Sequence, residues 1–136
     1  MHPNERLVRD FYDARAAGDL VRVRAFLADD VAWHDPYPSP HGGDLRGAET
    51  VIGQVIVEAG KLTGGSSRLI VHDVLANDRH AVALVDWEST LDGRHMAGRE
   101  VAVFHVASGQ ITEAWFYPDE PQRAWDFFSP GKAGAL

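Results

Sequence analysis

The stretch 68–117 constrains this chain more than any other, because it reads as strand almost from end to end. Apolar and polar residues alternate with the period of two that a half-buried strand requires. The pattern breaks only at Asn77-Asp78, Asp92-Gly93 and Ser108-Gly109, pairs suited to the tight turns of hairpins. The reading is four antiparallel strands, 68–76, 80–91, 95–107 and 110–117, joined as a meander. A sheet of that kind needs an apolar layer over one face.

The layer is supplied by helices that precede the meander. Leu7, Val8, Phe11, Tyr12 and Ala14 recur at helical spacing behind Asn4 as N-cap, and Gly18 stops the helix. Asp19 caps a second, short helix with Leu20, Val23, Phe26 and Leu27 on one side. A third begins at Ala48, keeps apolar residues at 48, 51, 52, 55, 56 and 59, and ends at Gly60. After the meander, Asp119 and Gln122 resemble a capping box for a last helical turn carrying Trp125, Phe127 and Phe128. Three N-terminal helices packed on a strongly curved antiparallel sheet give an α+β cone with an interior space. One domain is expected over 1–136, with a core of about 4–128 and a flexible tail at 129–136.

Composition narrows the function classes. A chain of 136 residues buries roughly two thirds of its unfolded surface, enough for one core and one cavity. A net charge of −7 with no long basic run argues against nucleic acid or an anionic membrane as partner. There is no cysteine, so disulfides and thiolate chemistry are excluded, and a reducing cytoplasm is the expected location. The N-terminus lacks the apolar core of a signal peptide, and no apolar run has the length of a membrane span. Among seven histidines, His34, His41, His72, His80, His95 and His105 form no H-x-H or H-x-x-x-H pair on one element. No metal and no other cofactor is expected.

Between the second and third helices lies the segment 28–38, A-D-D-V-A-W-H-D-P-Y-P, a short strand stopped by Pro36. Side chains of a strand alternate, so Val31, Trp33 and Asp35 share one face while Ala32 and His34 share the other. Two roles are open for Asp35. In an apolar site beside the Trp33 indole it loses hydration, its pKa rises and it becomes a stronger base. Alternatively it caps the Pro-rich turn that follows. The residues beyond Pro36 read as a surface loop at the rim of a pocket.

This order of elements carries A-G-D-L at 17–20, A-D-D-V-A-W-H-D-P at 28–36, L-R-G-A-E at 45–49, D-G-R at 92–94 and S-G-Q-I-T-E-A-W at 108–115. On these motifs the chain resembles the NTF2-like superfamily, and within it the SnoaL-like proteins, from about residue 4 to 128. The resemblance implies the cone fold and a small-molecule pocket. It spans ketosteroid isomerase, polyketide cyclases, epoxide hydrolase and dehydratase chemistry, so it does not choose a reaction. Against ketosteroid isomerase, the general base falls on Asp35 and the proline after it on Pro36. The two oxyanion donors fall on Phe11 and near Ala102, which removes the groups that would stabilise an enolate there. The last-strand Asp of the cyclases falls on Phe116.

Carrying the isomerase's inward parity through the meander places Val85, Trp87, Ser89, Leu91, Met96, Gly98, Glu100, Ala102, Phe104, Val106, Thr112, Ala114 and Phe116 toward the interior. The expected function is a cofactor-free acid/base enzyme of isomerase, cyclase or dehydratase type acting on a small hydrophobic molecule. Asp35 is its base, Glu100 or His34 its acid. Tyr12, Trp33, Val85, Trp87, Ala102, Phe104, Ala114 and Phe116 are its candidate ligand contacts. The alternatives are a binding module that holds a hydrophobic metabolite unchanged, and a structural domain whose cone is filled by Trp33, Trp87 and Phe116. The opposite parity gathers Leu84, Val101, Val103, His105, Glu113, Trp115 and Tyr117 on an outer face, where a homodimer would cover them.

Overall fold

The computed structural model describes residues 1–38 and 41–129. Ser39 and Pro40 of the expected loop, and residues 130–136 of the expected tail, lie outside them. The elements run α1 (Pro3–Ala16), α2 (Leu20–Phe26), β1 (Leu27–Asp35), β2 (Gly43–Arg46), α3 (Ala48–Val51), a π-helical stretch (Ile52–Glu58), α4 (Ala59–Leu62), β3 (Arg68–Ala76), β4 (His80–Leu91), β5 (Arg94–Ala107), β6 (Gln110–Pro118) and α5 (Pro121–Phe127). The sheet has the order β2-β1-β6-β5-β4-β3. Helices cover its concave side, and the four-strand meander is present with the expected turns. Asp92-Gly93 and Ser108-Gly109 all have positive φ, the backbone of a type I′ hairpin.

Two strand pairings lie beyond the sequence reading. β2 forms an antiparallel hairpin with β1 inside what reads as loop. β1 then pairs in parallel with β6, so that Trp33 lies beside Ala114 and His34 beside Trp115. This parallel pair closes the N-terminal half onto the last strand.

The caps differ in detail. α1 is capped by His2 rather than Asn4: His2 Nδ1 accepts from the Asn4 backbone N–H, with Pro3 in the first helical position. Asp19 does cap α2, accepting from Arg22 N. Gly60 does not end the third helix, which runs on through α4 to the positive-φ pair Gly64-Gly65. The capping box at Asp119 is not formed, because Asp119 Oδ1 accepts from Arg99 N instead. The wider π turns at Ile52–Glu58 shift the following helix face, a distortion often found at sites.

One main core joins the helices to the sheet. Phe11, Trp33, Phe104 and Phe116 pack ring to ring, with Val8, Leu27, Val31 and Ile111 fully buried around them. The inward parity holds for most of the meander, and two bulges break it. At the β5–β6 bulge the register passes from His105↔Glu113 to Val106↔Ile111. Ile111 is therefore buried, while Thr112 turns back to donate its hydroxyl to His105 O; the inward expectation for Thr112 is corrected. A second bulge between Val71 and Asp73 leaves His72 exposed.

Candidate active site

A cavity of about 520 Å³ opens between α1, the π stretch, α4 and the concave face of the sheet. Its apolar lining includes Trp33, Val55, Ile56, Leu62, Leu69, Trp87, Phe116 and Phe128. The volume lies within the range of small-molecule sites. The cone is therefore not filled by Trp33, Trp87 and Phe116, and the structural-domain alternative loses its premise.

Asp35 is the last residue of β1 and points into this space. The buried setting and the turn contact considered for it are both present. Its Oδ1 accepts the backbone N–H of Tyr37 at 3.0 Å, holding the turn after Pro36, and its other oxygen has no hydrogen bond among the described residues. Burial pushes its pKa up to about 6, against lowering by the Tyr37 hydrogen bond and the Arg15 charge. The loop returns over it at Gly42, where a Cβ would lie 2.2 Å from Tyr37 O and 2.9 Å from Asp35 Oδ1. Only glycine fits that approach.

Glu100 faces the cavity from the middle of β5. It is 9% exposed and makes no ion pair or hydrogen bond with the described residues. Neither Arg99, its neighbour in β5, nor Arg46 pairs with it: Arg99 faces Asp86 and Arg46 reaches Asp30 O. Burial raises the Glu100 pKa to about 7, with Arg15 opposing and the Asp35 charge adding to the rise. Asp35 and Glu100 thus sense each other across one low-polarity space.

Tyr12 Oη, Trp33 Nε1, His41 Nδ1 and Trp87 Nε1 are buried polar atoms with no hydrogen-bond partner among the described residues. All four residues line the cavity. Tyr12 sits one helical position past Phe11, and the rotation of α1 turns its hydroxyl inward; burial and the nearby Glu100 raise its pKa. Arg15, one turn further on, brings the cavity a cation.

His34 is corrected as a candidate acid. It projects from the opposite face of β1, where Nδ1 meets Asp44 at 2.8 Å and Nε2 meets Glu113 at 2.7 Å, with its ring stacked on Trp115. Both carboxylates raise its pKa, and neither nitrogen reaches the cavity. Val85, Ala102, Phe104 and Ala114 point inward as expected but are sealed into the core beneath the cavity, outside its lining. Tyr12, Trp33, Trp87 and Phe116 do line it. Ser89, placed inward by the strand parity, also lines it; sequence reading did not find Arg15, Tyr37, His41, Ser67 or Phe128 there, and the loop signals around 36–43 were the trace available. Among the described residues no helix is long and apolar enough to cross a membrane, and no group of three or more metal-ligating side chains comes together.

The family model for the SnoaL-like domain matches residues 8–114. An uncharacterized protein of Mycobacterium tuberculosis is 30% identical over 115 residues, 83% of this chain and 87% of its own length. Among solved structures, Bal32a from a soil-derived mobile gene cassette superposes with a TM-score of 0.86 at 22% identity, covering 93% of this chain and 96% of that one. A candidate SnoaL-like polyketide cyclase from Jannaschia gives 0.74 at 16% identity, covering 94% and 93%. At such identities the structures speak for the fold. The chain belongs to the SnoaL-like domain family.

Proposed function

We propose that this protein is a cofactor-free acid/base enzyme for a small, largely apolar carbonyl compound, with Asp35 as base and Glu100 as acid. The observation that carries the reading is a pair of carboxyl groups in one apolar cavity, both raised toward neutrality and neither neutralised by an ion pair. Near neutral pH the lower of the two pKa values belongs to the group positioned as base, and the higher to the acid. The Asp35 carboxylate takes a proton from carbon next to the carbonyl, and the electron pair moves toward the carbonyl oxygen, which receives the Glu100 proton. The product is an enol. Return of the Asp35 proton to a carbon conjugated with the enol, while Glu100 takes back the O–H proton, gives an isomer; attack of the enol carbon on a second carbonyl, whose oxygen takes the Asp35 proton while Glu100 recovers its own, closes a ring. Elimination of a β-hydroxyl, leaving with a proton as water, gives a dehydrated product. The cyclase-like relatives favour the ring-closing form without deciding it.

The test uses 2-tetralone, a neutral apolar ketone, in D2O, following exchange of its α-protons by NMR. Wild-type protein should accelerate exchange, and Asp35→Asn should remove the acceleration. No acceleration by wild type, with the ketone shown to be bound, would favour a module that holds its ligand unchanged.

The outer sheet face supports a second proposal, a homodimer. Val101 and Tyr117 are register neighbours on that face, 38% and 56% exposed, with Trp115 and Val103 paired beside them. A second copy across a two-fold would cover this strip.

A further inference from the structure

Arg15 stands apart from the other arginines of the molecule. Three arginines among the described residues are half-buried, Arg9, Arg15 and Arg24. Arg9 is held by Glu5 at 2.9 Å and Asp73 at 3.2 Å, and Arg24 by Asp29 at 2.6 Å and Glu49 at 2.7 Å. Arg15 has no ion pair or side-chain hydrogen bond among the described residues, although it lines a cavity that holds two carboxyl groups. Its charge reaches both: it opposes the rise of the Asp35 and Glu100 pKa values, and acts on Tyr12 in the same sense. A place in the last turn of α1 accounts for a cation there. It does not account for a half-buried guanidinium beside the cavity with no carboxylate on its N–H donors.

The rest of the lining fixes the kind of partner. The charged and titratable groups around the space are Tyr12 and Arg15 from α1, Asp35 from β1, Tyr37 and His41 from the loop, Arg68 from β3 and Glu100 from β5. Arg68 is exposed and faces Glu88 at 3.9 Å, so Arg15 is the permanent cation left for an occupant. A guanidinium presents a planar fork that matches a carboxylate, two N–H groups to two oxygens. Partial burial leaves such a pair less screened by salt than one in open solvent. One cation offsets one negative charge; a second on the ligand would meet Asp35 and Glu100 with nothing to oppose it. Beyond this corner Trp33, Val55, Ile56, Leu62 and Leu69 form apolar walls that suit a hydrocarbon body.

We propose that Arg15 anchors a ligand carrying one carboxylate on an apolar body, so that the carbonyl substrate of this cavity is a monocarboxylic oxo acid. This rests on the acid/base reading for the carbonyl and adds the anionic group. A carboxylate on Arg15 offsets the positive charge that holds the carboxyl pair down, so the bound ligand makes Asp35 and Glu100 stronger bases. Arg15 binds and tunes; the proton steps stay with the pair.

The probes are trans-4-tert-butylcyclohexanecarboxylate and its carboxamide, which share an outline and differ in charge. Equilibrium dialysis at pH 7 gives the affinity of each for wild type, Arg15→Gln and Arg15→Lys. Wild type should prefer the carboxylate, and Arg15→Gln should lose about tenfold of that preference, as expected for a hydrogen bond to a charged group. Arg15→Lys should keep part of it, having the charge without the fork. In wild type, NMR titrations of Asp35 and Glu100 should move to higher pH with saturating carboxylate and stay in place with the carboxamide, a response that a merely structural arginine would not give. By the same linkage, carboxylate affinity should fall as pH rises through about 6 and about 7. Equal affinity of wild type for the two probes, a carboxylate preference that survives Arg15→Gln, titrations that respond alike to both probes, or no binding of either would overturn the proposal. Neither probe is a ketone, so loss or survival of 2-tetralone exchange in Asp35→Asn leaves this result unaltered. The two readings therefore fail separately.

Discussion

The two faces of one sheet handle charge in opposite ways, and the contrast is sharpest at neighbouring residues. His34 and Asp35 are adjacent in β1. His34, on the outer face, is held between two carboxylates and a tryptophan ring; Asp35, on the inner face, is bonded among the described residues by a backbone N–H alone. Arg99 and Glu100 repeat the pattern in β5, one facing Asp86 in solvent and the other buried with no partner among the described residues. Outer-face charges are mutually satisfied and cost little. The two inner-face carboxyl groups are buried and form no ion pair among the described residues, though the Arg15 charge acts on both, and such groups are poised to exchange protons near neutrality. Under the proposed function the chemistry belongs to the concave side, and under the proposed dimer the convex side serves association.

Four measurements bear on this contrast. The largest effect is expected at Asp35. With a pKa of about 6 for the base and about 7 for the acid, the exchange rate should rise with pH through the first and fall through the second. Asp35→Asn should lower the rate by about 10²- to 10⁴-fold. It should also move the falling limb to lower pH, since the Asp35 charge helps raise Glu100. A pH profile of unaltered shape in the variant would remove Asp35 from the mechanism.

Next comes Glu100, read through stability. Its folded pKa is raised from 4.5 to about 7, so the folded state keeps a proton that the unfolded chain releases. Stability should therefore decline as pH rises from the ordinary value through about 7, then level off. Glu100→Gln removes this loss. Urea unfolding should show the variant ahead of wild type by on the order of 3 kcal/mol at pH 8, with the gain vanishing near pH 4. An equal difference at both pH values would mean that ionisation is not its cause.

On the outer face, Trp115→Ala should weaken self-association by about 2 kcal/mol or more, as central aromatic anchors do. Sedimentation of wild type as a monomer at micromolar concentration would remove the basis for that expectation.

The smallest effect belongs to His34. Its pKa is raised by Asp44 first and Glu113 second. The stability it contributes is fully present below the ordinary histidine pKa and is lost as pH rises through the raised one. Asp44→Asn and Glu113→Gln should each lower its NMR titration midpoint, and His34→Ala should cost less than about 1 kcal/mol, as expected for a partly exposed pair. A loss of proton exchange in His34→Ala with the fold intact would break the division between the faces.

The sequence by itself determined the meander, its turns and the face to which most residues belong. These follow from local rules: a period of two, left-handed turn pairs and helical spacing act within a few residues and survive any packing. Trp33, Asp35, Trp87, Glu100 and Phe116 were placed correctly for that reason. Tertiary structure decided where those rules lapse. A single extra residue at the β5–β6 bulge exchanges Thr112 for Ile111, and another near His72 resets the parity of β3. The parallel pairing of β1 with β6 joins segments some eighty residues apart, for which no local pattern exists. The rotation of α1 decides whether Phe11 or Tyr12 presents to the cavity, and both satisfy the same helical spacing. Arg15, Tyr37 and His41 meet Glu100 around one space only because the helix, the loop and the sheet close on it. Whether a buried polar group has a partner depends on what else arrives there, and that is a property of the folded chain.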